Sequence, residues 1–187
     1  MGLFGFLEIV PPKEVHLIHC ALDDMIPHMA VFIYPYGSWF PYIVVCAYFA
    51  IKNLDDRQFK KAVLVLTTGM NIFLFISFVW PTGLNLREGI VYDLHTLSGN
   101  LLKFVQTVDT PKSVFPSMHV YVTLVLQYTL EMQKKMVPSW SIWVGRVLAV
   151  LIVLSTMFTK QHSVLDVSAA IVMFAVLVVV VEKIVKK

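Results

Sequence analysis

The chain has 187 residues, of which 58% are hydrophobic and 14% are charged. A typical soluble domain has about 25% charged residues, so the composition excludes an ordinary soluble protein and indicates a membrane protein. The formal net charge is only +3 and the cations are scattered along the chain, which argues against a nucleic-acid partner. Residues 1–187 are expected to form one membrane-embedded domain.

The N-terminal part is the least regular. Its first residues lack a cationic lead and are interrupted by Pro11 and Pro12, so they do not predict a cleaved signal peptide. Residues 14–35 break their apolar positions with acidic residues, histidines and two prolines. This segment is too polar to predict a span, and we interpret it as an interfacial or re-entrant helix. An aromatic cluster between Tyr34 and Tyr42 is typical of the headgroup level of a membrane.

Five apolar segments follow along the chain, and a helical span needs about 20 mainly apolar residues. The predicted spans cover residues 38–52, 61–80, 116–133, 140–159 and 163–182. The predicted fold class is therefore all-α, a polytopic membrane helix bundle of about five transmembrane helices.

A long connection, residues 81–115, separates the second span from the third, although most connections in compact proteins are much shorter. In its middle, apolar residues recur near helical spacing, which predicts a short amphipathic helix resting on the membrane surface. They are Leu94, Leu97, Leu101, Leu102 and Val105.

The cations predict the orientation of the bundle, because cytoplasmic loops carry an excess of Lys and Arg. With five spans, ten cations fall on one side: Lys52, Arg57, Lys60, Lys61, Lys134, Lys135, Arg146, Lys183, Lys186 and Lys187. Five fall on the other: Lys13, Arg87, Lys103, Lys112 and Lys160. The first side, with the C-terminus, is predicted to be cytoplasmic, and the long connection is predicted to face the exterior.

Three polar clusters lie at span ends on the predicted exterior side, at residues 80–87, 115–119 and 155–166. Asp166 lies inside the last span, where an ionisable residue is costly and usually functional. His162 precedes it by four positions, on the same helical face. A carboxylate that holds one imidazole nitrogen leaves the other free as a nucleophile. The remaining histidines show no metal-ligand spacing, so neither a metal nor another cofactor is predicted.

The spacing of these clusters resembles a known family. Pro116, Ser117 and His119 are similar to the second motif of the type 2 phosphatidic acid phosphatase superfamily. The third motif matches Ser155, His162 and Asp166, which are separated by seven and then four positions. The run DTPKSVFPSMHV resembles a bacterial branch of the family, which implies a bacterial cell membrane.

This resemblance implies a role for each matching residue. His162 attacks phosphorus, Asp166 orients it, and His119 protonates the departing lipid oxygen as general acid. Arg87 stands where the first motif supplies a phosphate-binding arginine. Ser117 and the backbone N–H groups at the start of the third span add donors for the phosphate.

The sequence also departs from the motifs. Trp80 and Thr156 stand where the family has a lysine and a second arginine, so two phosphate-binding cations are missing. Lys112 and Lys160 lie nearby in sequence and are candidate replacements. Ser155, the first residue of the third motif, is included with the expected phosphate-binding residues.

The resemblance implies a metal-independent phosphatase that hydrolyses a lipid phosphate or diphosphate through a phosphohistidine. The expected partners are that substrate and membrane lipids, and the oligomeric state is left open. A Ser-Thr version of the third motif also occurs in related lipid phosphotransferases, so transfer to an alcohol is a second possibility. A membrane scaffold with a decayed site is a third.

Overall fold

A computed structural model describes residues 15–185 of the chain. The expectation about a signal peptide, and residue 14 of the predicted interfacial segment, lie outside this part. The described residues form a helical bundle, which confirms the all-α, polytopic membrane fold. The helices are α1 (Ala21–Met25), α2 (Ile33–Gly37), α3 (Trp39–Asn53), α4 (Asp56–Val79), α5 (Leu97–Val108), α6 (Met118–Met132), α7 (Ser139–Phe158) and α8 (Val164–Ile184). Two short parallel strands, β1 (His16–Leu17) and β2 (Thr82–Gly83), pair with each other.

Four helical segments of the described chain are long and apolar enough to cross a membrane: Ala30–Asn53, Asp56–Val79, Ser139–Phe158 and Val164–Ile184. The first begins at Ala30, eight residues before the predicted start. It consists of a 3₁₀ turn, α2 and α3, with a break at Ser38. Pro41 has no N–H to donate to the Gly37 carbonyl four residues earlier. At the break itself, the Ser38 hydroxyl donates to the Pro35 carbonyl at 2.6 Å.

The third predicted span is the shorter helix α6. Its 15 residues extend about 22 Å at 1.5 Å per residue, whereas the hydrocarbon core of a bilayer is about 30 Å thick. This helix packs against α3, α4, α7 and α8. It is therefore the centre of the bundle, and the longer helices surround it.

Two apolar clusters hold α6 in place. One joins it to α4 and α8, and its buried members are Val65, Val120, Tyr121, Val125, Val167, Ala170, Leu177 and Val181. The other joins it to α3 and α7, and its buried members are Tyr42, Cys46, Leu126, Leu130, Ile142 and Ile152. Two faces of α6 therefore pack against two different pairs of helices.

The short helix predicted in the long connection is α5. Thr96 caps its start by accepting from the Gly99 N–H at 3.2 Å. One face packs Leu102 against Ile33 and Tyr36 of α2. A second face leaves apolar side chains exposed, here called the apolar stripe: Leu97, Leu101, Phe104 and Val108. This stripe suits a helix that lies at a membrane surface.

Helix α5 lies at one end of the bundle, here called the loop end, which consists of residues 80–117 and 159–163. Thr82 of β2 fastens the loop before α6, since its hydroxyl accepts from the backbone N–H groups of Val114 and Phe115 at 3.2 Å each. A small cluster of Ile18, Leu84 and Val114 packs beneath it. The N-terminal segment and the long connection are thus joined over the loop end.

Candidate active site

The start of α8 places the first pair of polar groups. Ser163 is the N-cap, and the Asp166 carboxylate accepts from the Ser163 backbone N–H at 2.9 Å. The same carboxylate oxygen lies 3.3 Å from Nδ1 of His162. Asp166 is fully buried and His162 is 8% exposed. The predicted pair is therefore formed, but His162 lies in the turn before α8 and not on a helical face, as the spacing had predicted. The contact leaves Nε2 of His162 pointing away from the carboxylate.

Asp23 of α1 holds the same turn from the opposite side. Its carboxylate accepts from the Ser163 hydroxyl at 2.6 Å, the Val164 N–H at 2.8 Å and the Cys20 N–H at 2.9 Å. Burial acts to raise the pKa of Asp23, but these hydrogen bonds outweigh it and hold the pKa below its ordinary value. The N-terminal segment thus stabilises the turn that carries His162.

The start of α6 places the second histidine. Ser117 is the N-cap, and its hydroxyl accepts from the Val120 N–H at 3.4 Å. The Ser117 N–H in turn donates to the Asp166 carbonyl at 3.1 Å, which ties α6 to α8. As a result, Nδ1 of His119 lies 3.4 Å from Nε2 of His162. Two nitrogens this close can act on one phosphoryl group.

The first membrane segment surrounds His119 with residues that sequence reasoning did not single out. The Trp39 ring lies 4.5 Å from the His119 ring, centroid to centroid. The Tyr36 hydroxyl lies 3.0 Å from His119 Nε2 and donates to Asp109 at 2.9 Å. Both nitrogens of His119 therefore have a defined neighbour.

Arg87 anchors the other side of the site. Its guanidinium donates to the Asp109 carbonyl at 2.5 Å and to the Gln161 side-chain oxygen. Burial lowers the pKa of Arg87, and the charge of Asp109 opposes that effect. An arginine stays charged under such shifts, so the group supplies a fixed positive charge and a planar set of donors.

These side chains enclose a small cavity of about 80 Å³ at the loop end. Its lining combines two cations and one carboxylate with histidines, hydroxyls, an amide and apolar side chains: Phe73, Arg87, Asp109, Thr110, Lys112, Ser113, Val114, Met118, His119, Gln161 and His162. The cavity has room for a phosphoryl group, and its positive lining suits an anion.

The structure brings four of the predicted site residues to this cavity: Arg87, Lys112, His119 and His162. Asp166 lies directly behind His162, and Ser117 is buried at the helix cap.

Two other predicted phosphate ligands point elsewhere. The Lys160 ammonium donates to the carbonyls of Asp23 and Ile26 at 2.6 Å each. The Ser155 hydroxyl is fully buried and donates to the Ile152 carbonyl at 2.6 Å. Both side chains use their donors within the protein fold, and neither lines the cavity.

The fold and the site define an integral membrane protein in which two paired histidines and an arginine line one small cavity. A scan against protein-family models matches the PAP2 superfamily over residues 18–180, so the chain belongs to the PAP2 superfamily. This membership supports phosphatase-type chemistry in general. Neither a search of the curated proteins nor a search of the solved structures found a match.

Proposed function

We propose that the protein hydrolyses a lipid phosphate or diphosphate through a phosphohistidine intermediate on His162. The observation that carries this proposal is the alignment of Asp166, His162 and His119, with nitrogen–oxygen and nitrogen–nitrogen distances of 3.3 and 3.4 Å. The carboxylate can only accept a hydrogen bond, so Nδ1 of His162 keeps its proton and donates it to Asp166, which leaves a lone pair on Nε2. That lone pair faces His119, which is the candidate general acid.

The cavity supplies charge for the transferred phosphoryl group. Arg87 and Lys112 line it, and Met118 and His119 bring the N-terminus of α6 to the same wall. A helix N-terminus carries a partial positive charge and backbone donors that favour a phosphate. Together these groups compensate the negative charge that develops in transfer.

Helix α5 supports a lipid as the source of the phosphate. Its apolar stripe is exposed, whereas Asp109, the residue after its last turn, lines the cavity. A helix with one exposed apolar face lies in the interface, at headgroup level. A lipid in the same membrane can therefore present its phosphate to the cavity while its chains stay in the bilayer.

The charge count along the sequence supports an exterior active site and a cytoplasmic C-terminus. The likeness of residues 109–120 to a bacterial branch supports a bacterial cell membrane. Cysteines introduced singly at 112 and 135, after replacement of Cys20 and Cys46, test the orientation. An impermeant maleimide applied to intact cells should label position 112 alone, and labelling of position 135 alone would reverse the assignment.

The activity test is phosphate release from a panel of lipid phosphates in detergent, together with trapping of labelled phosphoenzyme. The wild type should release phosphate and form an acid-labile phosphoenzyme. His162→Ala should do neither, whereas His95→Ala, a change at an exposed histidine of the long connection, should behave like the wild type. Turnover or phosphoenzyme that survives in His162→Ala would refute the proposed intermediate. A wild type that releases no phosphate from any lipid phosphate would favour the scaffold.

Transfer to an alcohol is the second candidate, because Ser155-Thr156 resembles the motif of lipid phosphotransferases. The Thr156 carbonyl accepts from the backbone N–H groups of Gln161 and His162 at 2.8 and 3.0 Å, so this residue directly shapes the loop of the candidate nucleophile. Adding a long-chain alcohol or diacylglycerol to the assay separates the two reactions. A transferase should form a new phosphorylated lipid at the expense of free phosphate, whereas a phosphatase should release phosphate at an unchanged rate.

A further inference from the structure

The second histidine has a hydrogen-bonded support of its own. Nε2 of His119 lies 3.0 Å from the Tyr36 hydroxyl, and that hydroxyl donates to the Asp109 carboxylate at 2.9 Å. Tyr36 is 3% exposed and packs with Ile33 and Leu102, so its ring is held in place. Each histidine of the site is thus backed by a carboxylate: His162 directly and His119 through a tyrosine.

The direction of these hydrogen bonds fixes the proton on His119. A hydroxyl has one proton to give, and the Tyr36 proton goes to Asp109, whose carboxylate can only accept. The Tyr36 oxygen therefore presents a lone pair to His119, and Nε2 of His119 must carry the proton between them. This leaves Nδ1, which faces Nε2 of His162 at 3.4 Å, as the nitrogen that can exchange a proton in the cavity.

We infer that Tyr36 and Asp109 are positioning residues that hold Nε2 of His119 protonated and so make Nδ1 the nitrogen that serves the leaving group. This inference rests on the proposed function, because it assigns the atoms of the general acid. It also explains why Asp109, an acidic residue, is tolerated in an anion-binding cavity. Its carboxylate accepts the hydrogen bond from the Tyr36 hydroxyl, and its negative charge is balanced by Arg87.

The proton balance follows from this assignment. In the first half-reaction Nε2 of His162 forms a bond to phosphorus, the bond from phosphorus to the lipid oxygen breaks, and that oxygen takes the proton from Nδ1 of His119. His119, which begins this step as an imidazolium, becomes neutral and keeps the proton on Nε2, which stays hydrogen-bonded to the Tyr36 oxygen. In the second half-reaction water attacks phosphorus, Nδ1 takes the water proton, and the phosphorus–nitrogen bond breaks. Phosphate leaves, and both histidines return to their starting states.

Removal of the Tyr36 hydroxyl tests the inference. Tyr36→Phe keeps the ring and its packing but leaves Nε2 of His119 without an acceptor. On a lipid phosphate, whose alkoxide needs the proton, kcat/KM, which reports formation of the phosphoenzyme and not its hydrolysis, should fall about 10- to 100-fold, the loss expected for one hydrogen bond to a charged group. On nitrophenyl phosphate, whose leaving group is already a stable anion, the loss should stay below about threefold. The matched control is Tyr34→Phe, because Tyr34 lies on the same helix but is 47% exposed. This variant should have the rate of the wild type on both substrates.

A second pair of variants separates this role from simple packing. Asp109→Asn should show the same dependence on the leaving group. The double variant Tyr36→Phe/Asp109→Asn should be no worse than the poorer single variant, because both act through one hydrogen-bonded chain. Equal losses on both substrates, additive losses in the double variant, or an unchanged rate in Tyr36→Phe would each overturn the inference. These outcomes differ from failure of the proposed function, which would appear in the wild type and in His162→Ala as absent or unaffected phosphoenzyme.

Discussion

Gly69 of α4 is the position at which an added methyl group should have the largest effect on the central helix. A Cβ atom at this position would lie 2.1 Å from Cζ of Tyr121 and 2.3 Å from its hydroxyl oxygen. Ordinary van der Waals contact begins near 3.4 Å, so the two groups must separate by more than 1 Å. Glycine is required here because the Tyr121 ring packs directly on the backbone of α4.

The ring has no easy way to move aside. Tyr121 is fully buried, and its hydroxyl donates to the Val65 carbonyl at 2.5 Å. Overpacking a core costs about 1–3 kcal/mol, and a buried hydroxyl that loses its partner costs about 1–3 kcal/mol. We therefore expect Gly69→Ala to lower the free energy of unfolding by roughly 2–4 kcal/mol, allowing for partial relaxation of the helices.

The same change should reach the active site. Tyr121 follows His119 by two residues on α6, so a shift of this helix moves the imidazole relative to His162. A misplacement of about 1 Å can cost roughly 100-fold in rate. Gly69→Ala should therefore lose activity at temperatures at which the protein is still folded.

The measurement is unfolding in detergent micelles by denaturant, followed by circular dichroism, beside the rate on a lipid phosphate. Gly37→Ala is the control, because a Cβ atom there meets nothing within 4 Å. Gly69→Ala combined with Tyr121→Leu, which removes the ring, should recover part of the loss. A Gly69→Ala protein as stable and as active as Gly37→Ala would refute the packing argument.

Three further predictions concern the site. His162→Ala should abolish both turnover and the phosphoenzyme. His119→Ala should lower the rate on lipid phosphates by about 10²- to 10⁴-fold and the rate on nitrophenyl phosphate far less, and Asp166→Asn should fall between these two variants. Rates on both substrates and phosphoenzyme trapping test this, and phosphoenzyme retained in His162→Ala would require the roles to be reassigned. Chelation should leave turnover intact, because histidines and cations take every role in the mechanism; loss in chelator that a divalent ion restores would contradict this. Asp23→Asn should lower the free energy of unfolding by about 1–3 kcal/mol at pH 7. The pKa of Asp23 is lowered in the folded protein, so its carboxylate stabilises the fold above the unfolded pKa of about 4, and this stabilisation is lost as the pH falls through the folded pKa. The difference in unfolding free energy between the wild type and Asp23→Asn should therefore disappear below about pH 4. A difference that does not change with pH, or an equal effect of Asp24→Asn at the exposed neighbour, would contradict this.

The helices of the bundle were largely predictable because membrane thickness imposes a length on apolar segments. The exceptions have physical causes. Helix α6 is enclosed by four other helices, so its length is set by packing and not by contact with lipid. The first span begins earlier than predicted because prolines near a helix start are tolerated. Pro35 and Pro41 lie in the first turns of α2 and α3.

The site was predictable where its residues are close in sequence or lie at a span end. His162 and Asp166 are four residues apart, and the N-cap turn at Ser163, just before α8, brings them together. Tyr36 was missed because its partners Asp109 and His119 are 73 and 83 positions away, and no local pattern records such a pairing. Lys160 was expected at the phosphate because it is close in sequence, but the direction of a long flexible side chain is decided by the acceptors around it.

The hydrogen bonds from Asp23 to the start of α8 also impose an order on biosynthesis. Asp23 and Ser163 are 140 positions apart, and at 5–20 residues per second the ribosome needs about 7 to 28 s to make the chain between them. During that interval the N-terminal segment has been made, but the turn that it stabilises does not yet exist. Because the N-terminal segment and the start of α8 must both be in place before His162 is held, an incomplete chain in the membrane is expected to be inert.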